Sequence, residues 1–314
     1  MSQNIFIFKH FIIKQDKTAM KVGTDAMILG AWAGERSTES DGSAESDSVE
    51  SGGWKRVENQ LSAESERAKS QGGESENYKI LDIGTGTGVL ALILAQRLSP
   101  LSLRRPVPPA PTISGTSSGG IGGEAIDAVE IDENSYNQAK ENIENSSWKN
   151  RIRIFHTSIQ DFDPGHNEKY DLIISNPPYF EHNLKADKES SRYRERSHSR
   201  SLNTLGFEDL LIHSKRLLKE NGSFYVIIPF VSTESILTQA EKEGLTLFDR
   251  LNIKSTENQE PVRSILGLTK IKRDIRISEL VIYNDDKSYT QDYIRLTADY
   301  YAKDFSKSNS AGKK

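Results

Sequence analysis

Residues 81–95 read LDIGTGTGVLALILA: an apolar run, three glycines spaced two apart, and a longer apolar run. Gly84, Gly86 and Gly88 let the backbone turn sharply and come close to a ligand, which side chains at those positions would obstruct. The stretch is a strand from Tyr78 to Ile83, a glycine-rich turn, and a helix over 89–98. The same alternation continues downstream. Strands are expected at 125–131, 151–156, 170–175 and 223–228, with helices over 132–145 and from Phe207 to a stop at Asn221-Gly222. A helix near 233–243 and β-rich stretches at 245–254 and 274–284 follow. Strands separated by helices predict an α/β fold with a parallel, doubly wound, Rossmann-like sheet.

Two segments interrupt this pattern. Residues 35–77 are rich in Ser, Glu and Gly, with eleven acidic and five basic residues, and lack the apolar content to bury a core. Residues 99–123 are rich in Pro, Gly and Ser and are expected as a loop. The acidic segment holds a net charge of −6, so the formal −4 of the 314-residue chain conceals a remainder at +2, which permits RNA binding. There is no cysteine, which excludes disulfides, thiolate-zinc sites and a catalytic thiol. No apolar run approaches the roughly 20 residues needed to cross a bilayer, and no cleavable leader is visible, so a cytoplasmic protein is expected. His198 and His213 have no metal-ligand spacing around them, and no metal is expected.

The chemistry concentrates at the ends of the expected strands. Asp82 stands where a carboxylate can order the glycine turn or meet a cationic group. Glu130 closes the second strand, placed to accept hydrogen bonds from both hydroxyls of a ribose. A dinucleotide site would need G-x-G-x-x-G, and here the third glycine arrives one residue early. The fourth strand ends in SNPPYFE, 175–181. A residue before proline is held extended, so the Asn176 amide oxygen and the Pro177 carbonyl can point into one pocket. Two acceptors suit an exocyclic amine with two N–H bonds, leaving its lone pair free to attack a methyl group. Pro178 continues the turn, Tyr179 offers a stacking surface for a planar substrate, and Phe180 a second wall.

D-x-G-x-G-x-G, a carboxylate ending the next strand and NPPY ending the fourth together resemble the class I S-adenosylmethionine-dependent methyltransferases over roughly 78–230. That resemblance implies a mostly parallel seven-stranded sheet with helices on both faces, S-adenosylmethionine as cofactor, and Asn176, Pro177 and Tyr179 as the catalytic set. It leaves the acceptor open among adenine N6, guanine N2, cytosine N4 and a glutamine amide. With KTAMKVGTDAMILGAWA (17–33) and YTQDYIRLTADYYAKDF (289–305), the match closely resembles bacterial tRNA1(Val) (adenine-37-N6)-methyltransferases nearly end to end.

By that resemblance residues 1–34 lie over the cofactor, with Lys21, Gly23, Thr24 and Asp25 closing its pocket, 78–314 form the methyltransferase domain, and the partner is tRNA. Ser158 occupies the place where many class I enzymes carry an acid against the cofactor adenine, and Asp161 lies three residues on, so either could make that contact. After NPPY, residues 185–200 carry Lys185, Arg192, Arg194, Arg196 and Arg200 beside the substrate pocket, suited to phosphate contacts. Lys270, Lys272 and Arg273 form a second basic cluster. Rival readings are a glutamine-amide methyltransferase acting on a release factor, a guanine-N2 rRNA or adenine-N6 DNA methyltransferase, and a non-catalytic binding module. Oligomeric state is open.

Overall fold

In chain order the fold begins with β1 (Ile5–Ile7), β2 (Ile12–Lys14), α1 (Thr24–Trp32), β3 (Lys79–Ile83) and α2 (Val89–Arg97). It continues through β4 (Ala125–Glu130), α3 (Glu133–Glu144), β5 (Ile152–His156) and β6 (Tyr170–Ser175). The last third adds α4 (Phe207–Leu217), β7 (Leu218–Pro229), α5 (Thr233–Lys242), β8 (Thr246–Thr256), β9 (Arg263–Thr269), β10 (Arg276–Tyr283) and α6 (Gln291–Thr297). These elements come from a computed structural model that describes residues 4–18, 20–34, 78–99, 125–165, 168–178 and 206–302. The acidic segment 35–77 lies outside the described residues, as does the 99–123 loop beyond Ser99.

Strands β3 to β10 form one sheet in the order β10-β8-β9-β7-β6-β3-β4-β5. Every neighbouring pair is parallel except those of β9, which runs antiparallel to both β7 and β8. The expected mostly parallel α/β sheet is therefore present, with eight strands rather than seven; β10 adds a parallel edge beside β8. The stretch RSILGLT, which forms β9, was not expected as a strand. It is buried on both faces, so it shows no alternation, and a glycine sits within it. Gly267 is required there, because a Cβ would stand 2.8 Å from Asp249 Cβ and 2.9 Å from the Tyr225 ring.

Alternation along the strands divides the core. Ile80, Leu172, Ile174, Tyr225 and Ile227 face one side with α1, α2 and α6. Leu81, Ile83, Ile173, Phe224 and Val226 face the other, against α4 and α5. Helix α2 is buried from Val89 through Gln96, apolar all round, which requires cover on its outer side. Helix α1 supplies that cover. Its Gly30 permits the close approach, since a Cβ there would lie 2.7 Å from Ile93. Arg97 of α2 answers the open end of α1 by donating to the carbonyls of Gly30, Ala31 and Ala33.

The β1–β2 hairpin is pinned by aromatic contacts. Phe8 stacks on Phe11 with centroids 4.3 Å apart, and Phe11 meets the edge of the buried Trp148 at 5.9 Å. Ser99, expected as the first loop residue, is instead a buried hub accepting from Trp148 Nε1 and Arg151, each at 2.7 Å. The expected stop at Asn221-Gly222 also moves. Helix α4 ends at Leu217, and the dipeptide lies inside β7, where pairing with β6 shifts register. Gly222 fits that irregularity because a Cβ would meet Leu218 and the Tyr170 carbonyl at 2.8 Å.

Candidate active site

At the carboxyl edge the sheet order sets β6, β3, β4 and β5 side by side. Asn176 follows β6, the glycine turn follows β3, Glu130 ends β4, and Ser158 lies two residues past β5. With strands about 4.8 Å apart, the four positions span roughly 14 Å along one edge. This is where open α/β sheets bind ligands, on either side of the strand from which the order proceeds in opposite directions.

Gly84, Gly86 and Gly88 all have positive φ, at 70°, 59° and 81°. Side chains rarely adopt that region, so the alternating spacing is a backbone requirement. A Cβ on Gly84 or Gly86 would meet nothing within 4 Å, so the turn borders open space, whereas one on Gly88 would stand 3.4 Å from the Ala139 Cβ of α3. The amides of Gly84 and Thr85 both donate to the Val129 carbonyl, at 2.9 and 3.1 Å, fastening the turn to β4.

Two carboxylates complete the cradle. Asp82 is fully buried, and its Oδ2 accepts from Thr85 Oγ1 at 2.5 Å and from the Ala91 amide at 3.2 Å. Its Oδ1 is buried and has no hydrogen-bond partner among the described residues. Burial pushes the Asp82 carboxyl up to about 7, against the hydrogen bonds that favour its ionised form. Glu130 is also buried, accepting from the Gly86 amide at 2.8 Å through Oε2 and from the Asp132 amide at 2.9 Å through Oε1. Burial again raises it, opposed by those two amides. An orphaned buried oxygen beside open space, with a second carboxylate alongside, fits a ligand that brings a cationic group and hydroxyls.

Asn176 is half-buried, Pro177 buried and Pro178 exposed, and Ser175 Oγ donates to the Ile83 carbonyl at 2.8 Å, locking the end of β6 to that of β3. Ser158 and Asp161 form one unit: Ser158 Oγ donates to Asp161 Oδ2 at 2.7 Å and accepts from the Asp161 amide at 3.1 Å. In the N-terminal segment Lys21 and Gly23 are exposed, and Thr24 and Asp25 are half-buried. Gly23 is the N-cap of α1, and no side chain caps it. Asp25 accepts from Arg263 Nε at 3.0 Å, which ties α1 to the start of β9. Tyr179, Phe180, Lys185, Arg192, Arg194, Arg196, Arg200 and His198 lie outside the described residues. His213 is half-buried on α4, where burial and then Arg216 lower its pKa. No group of three potential metal ligands occurs among the described residues.

Three features of the edge escaped the sequence. Asn142 of α3 accepts from the Lys14 amide, donates to the Lys14 carbonyl, and donates to the Thr87 carbonyl of the glycine turn, all at 2.9 Å. Gln138 accepts from the Lys17 amide at 3.1 Å. Ile131, beside Glu130, stands 42% exposed as an apolar surface at the same edge. Only an apolar residue following the strand-end carboxylate could have signalled that last position.

A family model described as Eco57I restriction-modification methylase matches residues 89–257. The chain is 34% identical over 299 residues to the tRNA1(Val) (adenine(37)-N6)-methyltransferase of Flavobacterium psychrophilum, covering 95% of this chain and 100% of the relative. It is likewise 34% identical over 303 residues to the protein of the same name from Trichodesmium erythraeum, covering 96% and 100%. Among solved structures it is similar to protein Atu636 from Agrobacterium tumefaciens, described as a predicted O-methyltransferase, with a TM-score of 0.48, 14% identity, and coverage of 72% and 91%. Fold and site define a Rossmann-like class I methyltransferase, a class whose methyl donor is S-adenosylmethionine. Within that class the chain belongs to the tRNA1(Val) (adenine(37)-N6)-methyltransferase family.

Proposed function

We propose that this enzyme transfers a methyl group from S-adenosylmethionine to the exocyclic N6 of an adenine in a tRNA anticodon loop, at position 37 as the relatives' name specifies. The observation that carries the proposal is Asn176-Pro177-Pro178 at the end of β6, locked by Ser175 to the strand that bears the glycine turn. Asn176 Oδ1 and the Pro177 carbonyl would accept the two N–H bonds of the amine, turning its lone pair toward the methyl carbon. The new N–C bond would form as the donor's C–S bond broke, and the proton would leave the nitrogen afterwards. The cofactor supplies an activated methyl on a sulfonium.

The chain's own contribution is positioning and electrostatics. Asp82 Oδ1 would meet a cationic group of the cofactor, and Glu130 would accept from its ribose hydroxyls. Asp161 is the better candidate for the cofactor adenine, since the Ser158 hydroxyl hydrogen is already committed to it. Residues 1–34 would close the pocket through Lys21, Gly23, Thr24 and Asp25. Tyr179 and Phe180 would flank the base, Pro178 would shape its entrance, and Lys185, Arg192, Arg194, Arg196 and Arg200 would meet phosphates. The domain would comprise 78–314, with 35–77 a dispensable acidic insert; the enzyme would work in the cytoplasm.

The matched restriction-modification methylase description favours one second reading, an adenine-N6 DNA methyltransferase. Nucleoside mass spectrometry separates the two after incubation of tRNA or DNA with enzyme and S-adenosylmethionine. New N6-methyladenosine mapping to one anticodon loop is the expected result, and methylation of DNA alone would replace this proposal with the second. Asn176→Ala should lower kcat by about 10²–10³ with cofactor affinity within roughly threefold of wild type. Near-normal turnover would remove Asn176 from the mechanism.

A further inference from the structure

The amino-terminal edge of the sheet, away from the site, gathers a different set of charges. Lys169 lies just before β6, Lys215 and Arg216 in the last turn of α4, and Lys270 just after β9. Together they line an open recess of about 680 Å³, with Glu220 and Glu243 also in its wall. Lys169 Nζ donates to the Arg216 carbonyl and Lys270 Nζ to the Leu218 carbonyl, the latter at 2.7 Å. Those bonds satisfy carbonyls at the junction of α4 and β7, and so account for one N–H of each lysine. An ammonium carries three donors, so each of the two has more to offer.

Lys215 Nζ reaches over the turn after α5, where Gly244, at φ +73°, lacks the Cβ that would stand 3.2 Å from it. Among the described residues, no carboxylate pairs with Lys169, Lys215 or Lys270 within 4.0 Å. Burial lowers the pKa of Lys270; Glu220 opposes this, and Lys169 and Lys215 add to it. Three ammonium groups thus share one recess at a cost in mutual repulsion that an anion would relieve.

We infer that this recess is a phosphate-binding site that takes the RNA backbone at a distance from the methylated base, an inference resting on the tRNA reading above. Lys169 precedes β6 and Asn176 follows it. Seven residues of extended strand separate them by about 23 Å. A phosphate bound there belongs to a stem or another arm of the RNA, not to the loop presenting the adenine. The donors come from three separate elements around an open recess, which suits a backbone passing across it more than an enclosed ion.

Lys169 and Lys270 also hold backbone carbonyls at the α4–β7 junction, so the primary variants are Lys215→Gln and Lys215→Glu. Binding of intact tRNA and of an anticodon loop closed by a short stem is measured by fluorescence anisotropy against salt, and methylation kinetics are measured on both RNAs. For Lys215→Glu, kcat/KM on intact tRNA should fall about tenfold with kcat unchanged, and the short RNA should be unaffected. Lys215→Gln should make the salt dependence of intact-tRNA binding shallower by about one unit of logarithmic slope. Unchanged constants on intact tRNA, or equal losses on both RNAs, would overturn the distal site. Inorganic phosphate protecting the wild-type recess with RNA constants unchanged would reduce it to an adventitious ion only, and so overturn it too. Should wild type methylate neither RNA, the tRNA reading fails by itself. The recess then stands or falls on whether Lys215→Glu weakens anisotropy-measured binding of intact tRNA.

Discussion

Among the described residues four carboxylates are buried in this sheet, and they fall into two pairs. Asp127 on β4 and Asp249 on β8 belong to the scaffold. Arg153 of β5 grips Asp127 with two bonds at 2.7 and 2.8 Å, and Tyr170 donates to it at 2.6 Å. Arg276 of β10 grips Asp249 at 2.9 and 2.7 Å, and Tyr225 donates to it at 3.1 Å. The two wings thus repeat one arrangement: strand carboxylate, arginine from the adjacent parallel strand, tyrosine hydroxyl. Asp82 and Glu130 at the carboxyl edge are also buried, yet among the described residues their hydrogen bonds come from backbone amides and Thr85. Where a carboxylate serves only the fold, the chain supplies a cation. At the proposed site that place would be left to a ligand, at the expense of the ligand-free protein's stability.

The largest expected effect breaks the scaffold pair on the far wing. Arg276→Met would leave Asp249 buried with a tyrosine as its remaining bidentate-site partner, at a cost of about 3–5 kcal/mol. Arg276 also lies over the Trp32 ring at 5.0 Å, so α1 should loosen with it. Urea unfolding measures the loss, and a change below roughly 1 kcal/mol would show that Asp249 does not depend on its arginine.

Asp82→Asn should act in the opposite direction on the ligand-free protein. The amide keeps an oxygen for Thr85 and Ala91 and removes a poorly compensated charge, so stability at pH 8 should rise, on the order of 1–3 kcal/mol. S-adenosylmethionine affinity should fall tenfold or more. Loss of stability at pH 8 would mean that the ionised carboxylate is compensated after all. Arg153→Met should cost less than Arg276→Met, about 1–2 kcal/mol, because the Arg153 side chain is 63% exposed against 29% for Arg276 and water can reach the remaining charge. Equal losses on the two wings would show that exposure of the arginine does not set the cost.

The backbone marks of the candidate site were legible in the sequence where the described residues cover them, because they sit where strands stop, and stops leave strong marks. Glycines at alternate positions, a carboxylate closing an apolar strand and a double proline each follow from a backbone constraint. The supporting residues carry no such mark. On α3 the apolar spacing of Tyr136, Ala139 and Ile143 leaves Gln138 and Asn142 looking like solvent positions. They are buried because the N-terminal segment lays its backbone amides against them, a contact spanning more than a hundred residues. In the same way nothing near Asp127 or Asp249 in the chain announces Arg153 or Arg276, which only strand order brings alongside. Strand β9 stayed hidden since burial on both faces erases the period-two pattern.

The smallest effect expected is also the one that most directly tests why the site carboxylates lack a cation. The ordinary Asp value is 3.8, and in the folded, ligand-free protein Asp82 sits at about 7. Between those values the folded state binds the extra proton, so this residue's contribution to stability is full below about pH 4, declines as pH rises, and levels off above about 7. A cationic ligand group reverses that preference by favouring the ionised carboxylate. Cofactor affinity should therefore tighten as pH rises from 6 toward 7, by less than tenfold over the unit, and then flatten, with Asp82→Asn removing the slope. Calorimetry with S-adenosylmethionine and S-adenosylhomocysteine identifies the cation, since only the first carries a sulfonium while both carry the amino group. Equal slopes for the two would place the amino group against Asp82 Oδ1, and a slope for the first alone would place the sulfonium there. A wild-type slope that persists in Asp82→Asn would move the titrating group to Glu130, the other raised carboxylate of the cradle.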